Sequence, residues 1–210
     1  MTRLGERGAV THSSLRYALR NRWDPTYLRT TNRLLAPEVG ERLLEVGCGL
    51  GHLTKRLQEQ GLDAVGIDAN PYAVEHGVTR NLLVMQAEVL DFPDASFDLL
   101  CSFHVIEHIP ALDRALAEMA RVVKPGGKVL LVYPAEPIRG LYAVPTAVGL
   151  YLNPLKATHV HCHHLTPARL RRMVAAQPLV ELRSEFHLCV QLVAWVRLRM
   201  PEFFSLFRRR

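Results

Sequence analysis

The run Leu43-Leu44-Glu45-Val46-Gly47-Cys48-Gly49-Leu50-Gly51-His52-Leu53-Thr54 is answered, 17 residues after its last glycine, by the acid of Val65-Gly66-Ile67-Asp68-Ala69-Asn70. No other feature constrains this chain as much. A short apolar run ending in closely spaced glycines is what a buried parallel strand needs when it must turn sharply and let a ligand approach its backbone. Asp68 then falls at the end of a second strand, where a carboxylate can accept both hydroxyl hydrogens of a ribose. The two features together read as a site for a nucleotide-type cofactor.

The glycine spacing narrows that cofactor. Gly47, Gly49 and Gly51 alternate, and His52 and Leu53 stand where a dinucleotide fingerprint would carry its third glycine. Lys55 follows Thr54 without the Gly-Lys-Ser/Thr ending of a phosphate loop. An adenosine ligand without a polyphosphate fits better.

Short runs rich in Val, Ile and Leu predict strands at 42–47, 64–68, 82–86, 97–102 and 128–133, with burial on both faces. Between them, 52–60, 71–79 and 110–123 carry helical spacing. Asn70-Pro71 supplies a cap and a first-turn proline, and Pro110 is expected to open its helix in the same way. Strand and helix in alternation build a parallel sheet with right-handed crossovers, and ligands bind at the carboxyl ends of its strands. At 210 residues and 49% hydrophobic, one well-buried domain is expected. No uncharged apolar stretch of membrane-spanning length and no signal peptide is evident, so a cytoplasmic protein is expected. Cys48, Cys101, Cys162 and Cys189 have no metal or redox spacing and read as reduced thiols.

Three further segments join the glycine turn: Gln86-Ala87-Glu88-Val89-Leu90-Asp91-Phe92-Pro93, Ser102-Phe103-His104-Val105-Ile106-Glu107-His108-Ile109, and Arg121-Val122-Val123-Lys124-Pro125-Gly126-Gly127-Lys128. In order and spacing, over about ninety residues, the chain resembles the class I S-adenosylmethionine-dependent methyltransferases. The resemblance implies an α/β, Rossmann-like, doubly wound fold. It is a seven-stranded, mostly parallel sheet with helices on both faces and a C-terminal antiparallel hairpin. It also implies S-adenosylmethionine as cofactor, held by Glu45, Gly47, Cys48, Gly49, Gly51, Asp68, Ala69, Gln86, Ala87, Glu88 and Phe103. Where the family usually carries an acid for the adenine amino group this chain has Gln86, whose amide oxygen can still accept that hydrogen.

The expected organisation is a helical cap over 1–40, a cofactor-binding core over 41–133, a substrate lid over 134–165, a last helix and strands over 166–197, and a basic apolar tail over 198–210. In the cap, Arg16, Arg20, Arg22, Arg29 and Arg33 interleave with apolar and aromatic side chains, and the resemblance implies that Trp23 and Tyr27 help close the pocket. The lid is apolar and broken by Pro137, Gly140, Pro145, Gly149 and Pro154, which points to an apolar or aromatic acceptor, with Tyr142 among its contacts. Arg139 and Lys156 are its cations. The cluster His159-Val160-His161-Cys162-His163-His164 invites a zinc reading. Similar methyltransferases carry histidines before a helix opened by a pair such as Thr166-Pro167, so no metal is expected. His159 and His164 are taken as acceptor-facing by family position.

Methyl transfer from a sulfonium depends mostly on holding the nucleophile in line in a dry pocket, and an oxygen nucleophile must also lose a proton. His104 and His108, just after strand four, are the candidate bases, with Glu107 as their partner or as a metal ligand. The Glu107-His108 pair resembles the same segment in ubiquinone-biosynthesis O-methyltransferases. The expected reaction is methylation of a small apolar, aromatic or lipid-like acceptor, oxygen ahead of carbon or nitrogen. A noncatalytic binding subunit with this fold and a nicotinamide oxidoreductase are the rivals. The chain carries a net charge of +6. Its arginine- and phenylalanine-rich tail is read either as a peripheral contact with anionic lipid or as a frayed end. Scattered arginines and the lack of a binding module argue against nucleic acid. Monomer and homodimer both stay open.

Overall fold

The computed structural model describes residues 23–138, 141, 144, 147–148, 152–193 and 196–210, and for 187–193 and 196–200 the backbone alone. The expectations for Arg16, Arg20, Arg22, Arg139 and Tyr142, and for the side chain of Cys189, lie outside this range.

Local sequence sets most element ends. Helix α1 (Pro25–Leu35) opens on Asp24, whose carboxylate accepts from Thr26 N, and closes on Ala36 in the left-handed region. Strand β1 (Arg42–Val46) leads through the glycine turn into α2 (His52–Glu59), and β2 (Asp63–Asp68) leads through Asn70-Pro71 into α3 (Pro71–Glu75). The Asn70 side chain accepts from Tyr72 N, as its cap role requires. Then come β3 (Leu82–Val84), β4 (Phe97–Phe103), α4 (Leu112–Val122) and β5 (Val123–Pro134). Pro110 lies in the turn before α4, whose cap residue is Ala111, so it does not open that helix. A 3-10 turn (Pro154–Lys156), α5 (Ala157–Val160), α6 (Pro167–Val174), β6 (Leu179–Val193) and β7 (Val196–Arg209) complete the described chain. The Thr166 hydroxyl caps α6 by accepting from Arg169 N.

The seven strands form one sheet in the order β3-β2-β1-β4-β5-β7-β6, with β7 antiparallel to both neighbours and the remaining pairs parallel. Two apolar cores cover its faces. Along β5, Val129, Leu131 and Tyr133 enter the core shared with α4 and α6, while Leu130 and Val132 enter the one under α1 and α2. Period-two alternation with apolar residues on both sides explains why these strands read as continuous hydrophobic runs.

The C-terminal expectation needs correcting. The segment over 198–210 is not a tail: β7 runs on to Arg209 and inserts between β5 and β6, pairing Lys128 with Arg208 through Pro134 with Glu202. Phe204, Leu206 and Phe207 are buried in the two cores, so they are unavailable for a lipid surface. Pro201 and the three closing arginines hid the strand, because a proline argues against an interior position. Pro201 sits just beyond the β5 pairing, and Arg209 Nη1 donates back to the Arg121 carbonyl. Among the described residues no helix is long and apolar enough to cross a membrane.

Candidate active site

Because the strands are parallel, β1, β2, β4 and β5 all release their chains at one edge of the sheet. At the end of β1, Gly47, Gly49 and Gly51 have φ of 78°, 55° and 75°, a region that favours glycine. Space demands glycine as well: a Cβ on Gly47 would lie 2.0 Å from Val105 Cγ2, and one on Gly51 would lie 2.6 Å from Leu82 Cδ2. The amides of Gly47 and Cys48 both donate to the Ile67 carbonyl, which binds the turn to the end of β2. Asp68 completes the link, accepting from Gly49 N at 2.8 Å and from Asn70 N at 2.9 Å. Each carboxylate oxygen has a second lone pair, so Asp68 can accept further hydrogens beside the loop.

Two residues expected at the cofactor lie beneath the loop instead. Glu45 is buried and accepts from the Thr54 hydroxyl at 2.5 Å. Its burial, outweighing that hydrogen bond, pushes the carboxyl up to about 7. Cys48 is buried, and desolvation pushes its thiol up. Cys48 and Cys101 are buried free thiols. Further along the edge, Ala69 and Gln86 are exposed, Glu88 is half-buried and Ala87 is buried. Phe103, at the end of β4, is buried and stacks on Tyr27 with ring centroids 4.6 Å apart. Trp23 lies over the start of α2, 6.5 Å from the His52 ring. Tyr27 therefore stands at the end of β4 and Trp23 by the glycine turn.

A charged cluster lies next to this edge, drawn from four stretches of chain. His104 has φ 55° and its amide donates to the Val132 carbonyl. Its Nε2 is 3.0 Å from Glu202 Oε1 on β7, and its Nδ1 is 3.6 Å from Glu107 Oε1. Burial alone would lower this imidazole, but the two carboxylates outweigh it and push it up to about 10. A ring protonated at neutral pH has no lone pair to offer, so His104 is unsuited to the role of base.

His108 is its opposite. Desolvation holds it below the ordinary histidine value despite the nearby Glu107 charge, so it is neutral at pH 7. Its Nδ1 donates to the Val160 carbonyl at 2.6 Å, which fixes the tautomer and leaves the lone pair on Nε2, 3.9 Å from Glu107 Oε1. Glu107 is buried, and its Oε2 has no hydrogen-bond partner. Desolvation opposes ionisation there, yet the surrounding histidines prevail and hold the carboxyl down at about 2.

The histidine-rich segment works chiefly as a clasp. His163 Nε2 donates to Ile109 O, His163 N to Glu107 O, and His164 Nε2 to Glu136 O. These bonds fasten the segment to the turn after β4 and to the exit of β5. His159, expected to face the acceptor, is exposed, and His164 is committed to the clasp. The histidine that joins the cluster is His161. It is buried, edge-on to His108 at 4.9 Å, with Nδ1 2.9 Å from Glu136 Oε1. Four histidines within six residues carried no sequence signal to tell it from its neighbours. Glu136 and Glu202 were also missed, each a lone acid in an apolar stretch. Among the described residues, Glu107, His108 and His161 are the one group whose donor atoms gather closely enough for a metal ion, within 4.8 Å of one another.

A family model described as a methyltransferase domain matches residues 16–179. The ubiquinone biosynthesis O-methyltransferase of Aeromonas salmonicida is 32% identical over 152 residues, covering 67% of this chain and 63% of its own length. The chain thus spans less than two thirds of that curated relative. Among solved structures, a SAM-dependent methyltransferase from Methanosarcina mazei superposes with a TM-score of 0.67 at 18% identity, over 89% of this chain and 98% of its own. The cyclase SpnF does so with 0.65 at 18% identity, over 88% and 80%. The last two share the fold, and since one is a methyltransferase and the other a cyclase, the fold alone leaves the chemistry open.

Proposed function

The chain belongs to the methyltransferase domain family, and from that premise we propose that it transfers the methyl group of S-adenosylmethionine to a hydroxyl of a small apolar, aromatic or lipid-like acceptor. The residues fit the cofactor: three left-handed glycines leave the loop backbone bare, and Asp68 stands beside it with acceptor capacity for a ribose. When bound, S-adenosylmethionine supplies a methyl carbon already made electrophilic by the sulfonium. Gly47, Gly49 and Gly51 admit it, Asp68 orients it, and Tyr27 and Phe103 exclude water from the end of β4.

Oxygen is favoured over carbon or nitrogen by one observation: the neutral His108 presents Nε2 3.9 Å from Oε1 of Glu107, a buried carboxylate whose Oε2 has no hydrogen-bond partner. An acceptor hydroxyl seated there would give its proton to His108 Nε2 as the oxygen attacks. Glu107, already ionised, would stabilise the imidazolium that results. The name of the Aeromonas relative, an O-methyltransferase of ubiquinone biosynthesis, supports a phenolic or catecholic acceptor.

Calorimetric titration with S-adenosylmethionine, S-adenosylhomocysteine and NADH is the first test. Micromolar binding of the first two, weakened about 100-fold in Asp68→Ala, is the expected result, two lost charge-assisted hydrogen bonds being worth at least that. Binding of NADH alone would overturn the cofactor. Turnover is then assayed by mass spectrometry on a prenyl-substituted catechol, a simple phenol and an aliphatic amine. Methylation of the amine alone would overturn the oxygen reading.

A further inference from the structure

We propose that Glu202 is a positioning residue of the methyl-transfer site: from β7 it fixes the His104 ring and, through that ring, the carboxylate of Glu107. The inference rests on the reading of His108 and Glu107 as the acceptor-facing pair.

Along β7, the alternate positions Glu202, Phe204 and Leu206 follow one another, and Phe204 and Leu206 fill the core under α1 and α2. Glu202 breaks that apolar series with a carboxylate that is only 2% exposed. A charge buried in the middle of a sheet is costly unless it is paired, so packing alone does not account for it. Its place is set by backbone on both sides. Glu202 forms the last β5–β7 register pair, with Pro134, and immediately beyond it Ala135 N donates to Pro201 O. The carboxylate therefore sits where the two strands part, at the same edge of the sheet as His104.

His104 in turn is held in a backbone conformation that a non-glycine residue adopts only when its surroundings impose it. One imidazole spans two buried carboxylates, Glu202 Oε1 at 3.0 Å and Glu107 Oε1 at 3.6 Å. The same Oε1 faces His104 Nδ1 at 3.6 Å and His108 Nε2 at 3.9 Å, and Oε2 is the atom of Glu107 left without a partner. The matched family segment ends at residue 179, so this contact comes from a strand beyond it.

The test is a double-mutant cycle on the full chain, with S-adenosylmethionine and the prenyl-substituted catechol. Glu202→Gln keeps the shape and removes the charge. It should lower kcat about 30-fold, the scale of a misplaced catalytic group, with acceptor KM and S-adenosylhomocysteine affinity within about twofold of wild type. His104→Gln should lose about as much, and the double variant should be no worse than His104→Gln alone. Glu202→Gln turning over within about threefold of wild type would overturn the proposal while leaving methyl transfer intact. Losses that multiply in the double variant would overturn it too, because Glu202 would then act independently of His104. Wild-type protein that binds S-adenosylhomocysteine but methylates no acceptor overturns the functional reading and the proposal with it. If Glu202→Gln no longer binds S-adenosylhomocysteine, His104→Gln, which leaves β7 untouched, carries the test. A fall of about 30-fold in kcat supports the proposal, and an unchanged kcat sinks it.

Discussion

The glycine turn after β1 and the charged cluster after β4 share one edge of the sheet and are built in opposite ways. The turn is made of backbone: three glycines, an Ile67 carbonyl shared by two amides, and one acid bound to the loop it serves. The cluster is made of side chains from four stretches of chain, and its members His104 and Glu202 are 98 residues apart. A backbone site has to be written locally, because φ and closeness of approach are set residue by residue. A side-chain site can be assembled from lone residues that mean nothing until the sheet brings them together.

If the turn depends on backbone freedom, Gly47→Ala should be the most damaging single change. A Cβ there meets Val105 at 2.0 Å, and φ is unfavourable for alanine. S-adenosylhomocysteine affinity should fall by more than about 100-fold in calorimetry, alongside a lower melting temperature. Retained affinity would mean that the loop is looser than its geometry.

His108→Ala sharpens the comparison from the other side. Turnover should fall about 100-fold while S-adenosylhomocysteine binding stays within about twofold. Loss of both together would mean that the two regions are one site. In the wild type kcat/KM should fall as pH drops through the His108 value, which lies below the ordinary 6.5, and the limb should be absent in the variant. A wild-type profile flat across that range would remove His108 as base.

Beneath the turn, Glu45 tests whether buried charge is confined to the cluster. Its carboxyl is raised from 4.5 in the unfolded chain to about 7, so the folded state holds the extra proton and wild-type stability declines as pH climbs through that window. Glu45→Gln should therefore be near neutral at pH 4.5 and gain up to about 3 kcal/mol over wild type at pH 8 by denaturant unfolding. A pH-independent difference would contradict the raised value. The smallest effect belongs to His159→Ala. With its side chain exposed, turnover should stay within about twofold, and a larger loss would return this residue to the acceptor pocket.

The same contrast explains what could be read in advance. The places of the first five strands, the glycine turn, Asp68 and the Asn70 and Thr166 caps each follow from neighbouring residues, and the structure has them where they were expected. Glu107 and His108 were legible as a pair, but the division of labour between His104 and His108 was not. It depends on Glu202, which reaches His104 only once β7 has paired with β5. Likewise His161 differs from His159 and His164 by its turn toward Glu136 and His108, a matter of how the clasp folds back. The miss at β7 had a different cause. An interior strand covered on both faces loses its alternation, and Pro201 and the closing arginines pointed toward a surface end.

The strand order also has a temporal side. β7 lies inside β6, so the edge strand is synthesised before the interior one that attaches it to the sheet. Until β7 is available, β5 keeps an open row of amides and carbonyls, and β6 has no place of its own on the sheet. Pairing Lys128 with Arg208 closes a loop of about eighty residues, the kind of late, long-range step that slows folding and leaves an edge exposed to other chains. β6 therefore joins the sheet only through β7, and the cluster around His104 gains its second carboxylate only once that late pairing is made.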